Sequence, residues 1–188
     1  LMQAFAELLD RLVLTPSRNG KLKLLVDYFR ATPDPDRGLA LAAITGDLDI
    51  PSVKPAMLRA LVMERMDAVL FAYSYDYVGD LAETVSLVWP GPEDEAEGIS
   101  VRLSDAVAQL RSAGRADGPA VLARLLDRMT ISERFATIKL VTGGLRIGVS
   151  ARLAKQALAD FGGVDVTEIE ELWHGLRPPY RELFHWLT

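Results

Sequence analysis

Apolar residues recur along this chain at the spacing of an α-helix rather than that of a strand. Phe5, Leu8, Leu9, Leu12 and Val13 fall at i, i+3, i+4, i+7 and i+8, one stripe on one helical face. The same spacing returns in Leu22, Leu25, Val26 and Phe29, in Leu122, Leu125, Leu126 and Met129, and in Ile169, Leu172, Trp173 and Leu176. Each stripe predicts a face turned to a core. Helix-ending residues interrupt the pattern at Pro33 and Pro35, Gly46, Pro51, Gly79, Pro90 and Pro92, Gly114, Gly118, Gly162 with Gly163, and Pro178 with Pro179. Asp80-Leu-Ala-Glu83 and Asp165-Val-Thr-Glu168 each have the form of a capping box, in which the first residue caps a helix and the last reaches back to it. At the carboxyl end Trp173, Leu176, Leu183 and Trp186 suggest a helix pair that docks on the body of the domain. The predicted fold is all-α, a compact array of short helices.

The segment Pro90 to Ser100, dense in Pro, Gly and acidic residues, is the clearest candidate for a mobile connection and lies near the midpoint. A faint echo suggests two pseudo-repeated halves. Leu8-Leu9-Asp10-Arg11-Leu12 is similar to Leu125-Leu126-Asp127-Arg128-Met129, and a lysine-containing apolar helix follows each, around Lys23 or Lys139. With 188 residues and 49% hydrophobic content the chain can bury a sizeable core. It has no cysteine, which excludes disulfides and thiolate metal sites and suits a reducing cytoplasm. Apolar runs such as Leu58 to Met63 and Ala68 to Tyr73 stop far short of the roughly 20 residues of a membrane span. The start, Leu1-Met2, lacks the basic region and apolar run of a secretory signal.

Net charge is -5, but it is unevenly spread. Residues 1–100 hold 9 Lys/Arg against 16 Asp/Glu, residues 101–160 hold 10 against 5, and residues 161–188 hold 2 against 5. A basic segment between acidic ones serves as an electrostatic footprint whatever the total. A chance imbalance on a solvated surface accounts equally well for the charge alone.

Within the basic segment, Lys139-Leu-Val-Thr-Gly143-Gly144-Leu-Arg146-Ile-Gly148-Val-Ser150-Ala-Arg152-Leu-Ala-Lys155 joins two predicted helices through a glycine-rich turn. Glycines permit positive φ or close approach of another molecule, and Ser150 is placed to cap the following helix. First-turn amides and the helix dipole then favour an anion at that end. Arg146, Arg152 and Lys155 add cations, the last two at i, i+3. A tight interhelical turn with basic residues at its surface also fits, and the alternation from Leu145 to Val149 fits a short strand. No Gly-x-x-x-x-Gly-Lys-Ser/Thr pattern is present, so a nucleoside-triphosphatase loop is excluded. His174 and His185 stand without the spaced partners of a metal site, and Glu168, Glu170 and Glu171 read as capping and solvated positions.

The run from Phe135 to Ser150, continued by Ala151-Arg-Leu-Ala-Lys-Gln-Ala-Leu158, resembles the amino-terminal DNA-binding domain of ATP-dependent DNA ligases. Asp67-Ala-Val-Leu-Phe-Ala-Tyr-Ser-Tyr-Asp-Tyr-Val-Gly-Asp-Leu-Ala-Glu83 and Glu170-Glu-Leu-Trp-His-Gly-Leu176 resemble bacterial members in particular. The resemblance implies about a dozen helices that grip nicked duplex DNA across the minor groove through phosphate and sugar contacts, which position without reading sequence. It makes Arg146, Gly148 and Ser150 the foremost contacts, with Lys139, Gly143, Gly144, Arg152 and Lys155 beside them. Thr15-Pro-Ser17-Arg18-Asn-Gly-Lys21 has the same ingredients, a cap, a glycine and two cations, and adds Arg18 and Lys21.

Ligases of this kind accept AMP on the lysine of a Lys-x-Asp-Gly sequence. None of the lysines here, at 21, 23, 54, 139 and 155, lies in one. The expectation is a DNA-binding domain at 1–177, and at 178–188 the start of a linker toward a nucleotidyltransferase and an OB-fold domain. No catalytic residue, metal or cofactor is expected in the chain itself. ATP and Mg are expected for the full-length parent, which would be cytoplasmic, nucleoid-associated and active in DNA repair, replication or recombination. The competing reading is a helical protein-interaction scaffold that binds no nucleic acid.

Overall fold

A computed structural model describes residues 1–51, 53–65, 81–91, 101–143, 145 and 147–188. Among them are eleven α-helices: α1 (Met2–Leu14), α2 (Arg18–Ala31), α3 (Asp36–Thr45), α4 (Pro55–Arg65), α5 (Leu81–Val88), α6 (Leu103–Ser112), α7 (Gly118–Leu126), α8 (Ile131–Thr142), α9 (Ala151–Gly162), α10 (Val166–Leu172) and α11 (Arg181–Leu187). A 3-10 turn, Trp173–Gly175, follows α10. The described residues contain no strand, so the fold is all-α as the periodicity predicts. Leu145 and Ile147 to Val149 are bends and irregular backbone, which removes the strand alternative.

The chain forms two compact units, one of Leu1–Ala6 with Asp49–Gly144 and the other of Glu7–Leu48 with Leu145–Thr188. The division does not coincide with the midpoint of the chain, because the second unit draws on both of its ends. Its core explains this. The apolar face of α9, with Ala154, Ala157 and Leu158 buried, packs along α2, whose Leu22, Leu25 and Phe29 are buried. Of the expected connection, residues 92–100 lie outside the described residues, as do Asp80 and residues 67–80 of the bacterial-type resemblance.

In the first unit, α8 packs on α5 and α7, and α7 also meets α4 and α6. Thr130 and Glu133 form a reciprocal capping box at the start of α8. Arg134, only 1% exposed, donates from Nε to the Ser86 carbonyl at 2.9 Å and from Nη1 to the Met129 carbonyl at 2.8 Å. The guanidinium thereby meets acceptors instead of bare apolar surface, where it would be costly to bury. Trp89 Nε1 donates to Asp127 Oδ1 at 2.9 Å, tying the end of α5 to the end of α7.

In the second unit α9 is the hub, meeting α2, α3, α10 and α11. The carboxyl-terminal helix is docked by unusually close backbone approaches. A Cβ on Gly38 of α3 would lie 1.5 Å from the Pro179 carbonyl oxygen, and one on Gly162 would lie 2.3 Å from a Leu187 methyl. Phe184 meets Phe29 and Phe161 at ring-centroid distances of 5.4 and 6.0 Å. Arg37 covers the Phe184 ring at 4.5 Å while its Nε bonds Asp34 at 2.9 Å. Thus the stretch from Pro178, expected to lead toward another domain, holds a helix with Leu183, Phe184 and Leu187 buried. The expected docking by Trp186 is wrong, since that side chain is 46% exposed and Phe184 fills the core in its place. Gly118, read as a helix stop, is the first residue of α7.

Candidate nucleic-acid interface

Two helix starts in the second unit are built alike. Ser17 is the N-cap of α2, and its hydroxyl accepts the Gly20 amide at 3.1 Å. Ser150 is the N-cap of α9, and its hydroxyl accepts the Leu153 amide at 3.0 Å. A helix start carries more amides than it has internal acceptors, and a serine cap satisfies one of them. The other amides of the first turn have no acceptor within the helix itself. Because α2 and α9 pack along each other, Arg18, Ser150 and Arg152 line one recess of about 460 Å³, completed by Leu153, Gln156 and Val166. Arg18 and Arg152 are exposed, and neither is in an ion pair among the described residues.

The loop that leads into α9 is fastened to the start of α2. Lys21 Nζ donates to the Gly148 carbonyl at 2.9 Å. Gly148 sits at φ +69°, a conformation that calls for glycine, and a Cβ there would approach Lys21 Nζ to 2.8 Å, so the ammonium would have to move aside. The nearest carboxylate in sequence beyond α9, Asp165, is directed to its own helix. It caps α10 by accepting the Thr167 amide at 2.8 Å, and that bond holds its carboxyl below the ordinary value. Its partner in the predicted capping box, Glu168, accepts the Asp165 amide at 3.2 Å.

The structure therefore brings together Arg18, Lys21, Gly148, Ser150 and Arg152 of the predicted contacts. Lys155, one turn along α9, points toward an aromatic pair instead. Its Nζ lies 4.9 Å from the centroid of the Trp173 ring, which stacks on Tyr180 at 5.4 Å. Lys139 and Gly143 belong to the first unit. Gly143 ends α8 in the left-handed conformation at φ 70°, and Lys139 lies 5.5 Å from the Phe135 ring centroid. Gly144 and Arg146 lie outside the described residues. Sequence reasoning missed the ladder in which Lys155 meets Trp173, Trp173 meets Tyr180 and the Tyr180 hydroxyl donates to Asp47 at 3.3 Å. Its members come from four separate places in the chain, and no local spacing links them.

Residues 1–159 match the family described as DNA ligase N terminus. The chain belongs to that family, the amino-terminal domains of ATP-dependent DNA ligases. No curated protein matches it.

Proposed function

We propose that this domain binds nicked duplex DNA through its sugar-phosphate backbone, without reading sequence, and so positions a nick for the ligase to which it belongs. The observation that carries this reading is the convergence of two serine-capped helix starts on one recess, with Arg18 and Arg152 at its wall. Outward amides at a helix start meet a phosphate oxygen in good geometry, and the helix dipole favours the negative charge. Two such starts side by side suit the repeating phosphates of a strand. The two guanidinium groups add a bidentate option at each phosphate. Lys21 ties Gly148, two residues before the Ser150 cap, to the start of α2.

On this reading the domain contributes position and the chemistry belongs elsewhere in the parent ligase, where ATP and Mg would serve the transfer of AMP. Its work would lie in DNA repair, replication or recombination. Titration of the chain with two duplexes of unrelated sequence tests the reading. Both should bind with Kd of roughly 10⁻⁴ to 10⁻⁶ M near physiological salt, and affinity should fall steeply as salt rises. A strong preference for one sequence, or binding indifferent to salt, would contradict it.

A further inference from the structure

Ser150 stands where a cap alone would not need to be. Its hydroxyl accepts the Leu153 amide at 3.0 Å, donates to no acceptor among the described residues, and is exposed. It also lines the recess of about 460 Å³ that Arg18 and Arg152 share. Those two arginines come from different helices, and no residue lining the recess is acidic. The acids nearest in sequence beyond it are engaged elsewhere, since Asp160 accepts the Gln156 side-chain amide at 2.9 Å and Asp165 caps α10.

Two other capping hydroxyls lack this setting. Ser17 is not among the residues that line the recess. Thr130 is 4% exposed and is held in a capping box with the Glu133 carboxylate. The contrast matters for one covalent change. A phosphate on a serine adds a charge of about -1.5 to -2 and three acceptor oxygens; it is stabilised opposite arginines and disruptive beside acids.

We infer that Ser150 is a phosphorylation site whose phosphate turns into the recess, against Arg18 and Arg152, and closes it to the DNA backbone. This inference rests on the DNA-binding reading and adds the regulation of that same site. The donor is ATP, acted on by a serine kinase. The bond from Ser150 Oγ to the γ-phosphorus forms as the bond from that phosphorus to ADP breaks, and the hydroxyl proton passes to a base of the kinase. Hydrolysis of the ester by a phosphatase restores the serine and releases inorganic phosphate. While the ester lasts, a tethered phosphate competes with a strand phosphate at the high effective concentration of a short link.

The test uses the full chain with phosphoserine incorporated at position 150 during synthesis, beside the unmodified chain. Affinity for a short nicked duplex should fall on the order of tenfold, as loss of one or more charge-assisted contacts implies. Melting temperature should match or exceed that of the unmodified chain. The phosphorus-31 resonance should titrate below the ordinary second ionisation of about 6, and Arg18→Ala or Arg152→Ala should return it toward that value. An ordinary titration indifferent to both arginines would overturn the inference, because the phosphate would then face solvent. So would a modified chain that unfolds, or one that binds the duplex as tightly as the unmodified chain. If the unmodified chain shows no salt-sensitive binding, the DNA reading itself fails and the closing of the site with it, although the phosphorus titration still decides whether the recess takes the phosphate.

Discussion

Lys21 Nζ and the Gly148 carbonyl, 127 residues apart in sequence, are joined by a 2.9 Å hydrogen bond. The bond fixes the loop before α9 to the first turn of α2 at the place where the two capped helix starts share a recess.

Gly148 and Gly143 provide a matched pair, since both have positive φ, +69° and +70°. A Cβ on Gly143 would point into open space, whereas one on Gly148 would meet the Lys21 ammonium at 2.8 Å. Alanine at either position should cost about 1 to 2 kcal/mol in backbone strain. Gly148→Ala should cost about the same, because the Lys21 ammonium is a flexible end that can move aside, but it should weaken DNA binding where Gly143→Ala does not. Urea denaturation and duplex titration of both variants check this. Equal affinities would show that the Lys21 contact does not constrain Gly148.

Lys155 is expected to act through Trp173 and not through a phosphate. Lys155→Met should lower stability by about 0.5 to 2 kcal/mol, the range for loss of a cation over an aromatic face. The salt slope of DNA binding should be that of wild type. A slope flatter by about 0.9 would instead count Lys155 among the phosphate contacts.

Tyr180 gives the fold an alkaline limit. Burial, with the Asp47 carboxylate beside it, pushes its phenol from 10.0 up to about 12. The neutral form is the one the folded state favours, so this contribution is complete below pH 10.0 and is lost as pH rises toward about 12. Burial raises Tyr28 as well, so some alkaline loss persists without Tyr180. Melting temperature should fall over this window in wild type and fall less in Tyr180→Phe. Identical alkaline profiles would place the sensitivity in another group.

Gly38 tests whether the carboxyl-terminal helix belongs to the second unit's core. A methyl group at Gly38 meets the Pro179 carbonyl backbone, which has no flexible end to yield. Gly38→Ala should destabilise by about 1 to 3 kcal/mol, as overpacking does. Limited proteolysis should then cut near residues 177–181 well before it cuts wild type. Unchanged resistance would show that α11 docks independently of α3.

Most of the helical content is legible in the sequence because it rests on local spacing and caps. The stripes Leu22 to Phe29 and Leu122 to Met129 face cores, and Asp165 with Glu168 forms the capping box its sequence predicts. Thr130-Ile-Ser-Glu133 carries the same signal at the start of α8. The stripe at Ile169 overstates its core face, since Ile169 is buried while Leu172 is exposed. Helical spacing says which residues share a face, but a helix only seven residues long at a unit's edge covers only one of them. At the site, the glycine-rich turn and the Ser17 turn are each visible in isolation. Their meeting is not, because it depends on α2 packing along α9 across more than a hundred residues of intervening chain. For the same reason Lys155 looks equivalent in sequence to Arg152, three residues away, although the fold sets Trp173 beside it.

The most direct measurement is the salt dependence of nicked-duplex binding by the double variant Arg18→Glu and Arg152→Glu. Both side chains are exposed, so charge reversal opens no cavity and stability should stay within about 0.5 kcal/mol of wild type. If the paired helix starts hold the DNA backbone, affinity falls sharply and the log-log slope flattens by about 0.9 for each phosphate no longer neutralised. A folded double variant that keeps wild-type affinity and slope would contradict the account and move the anion site away from the recess.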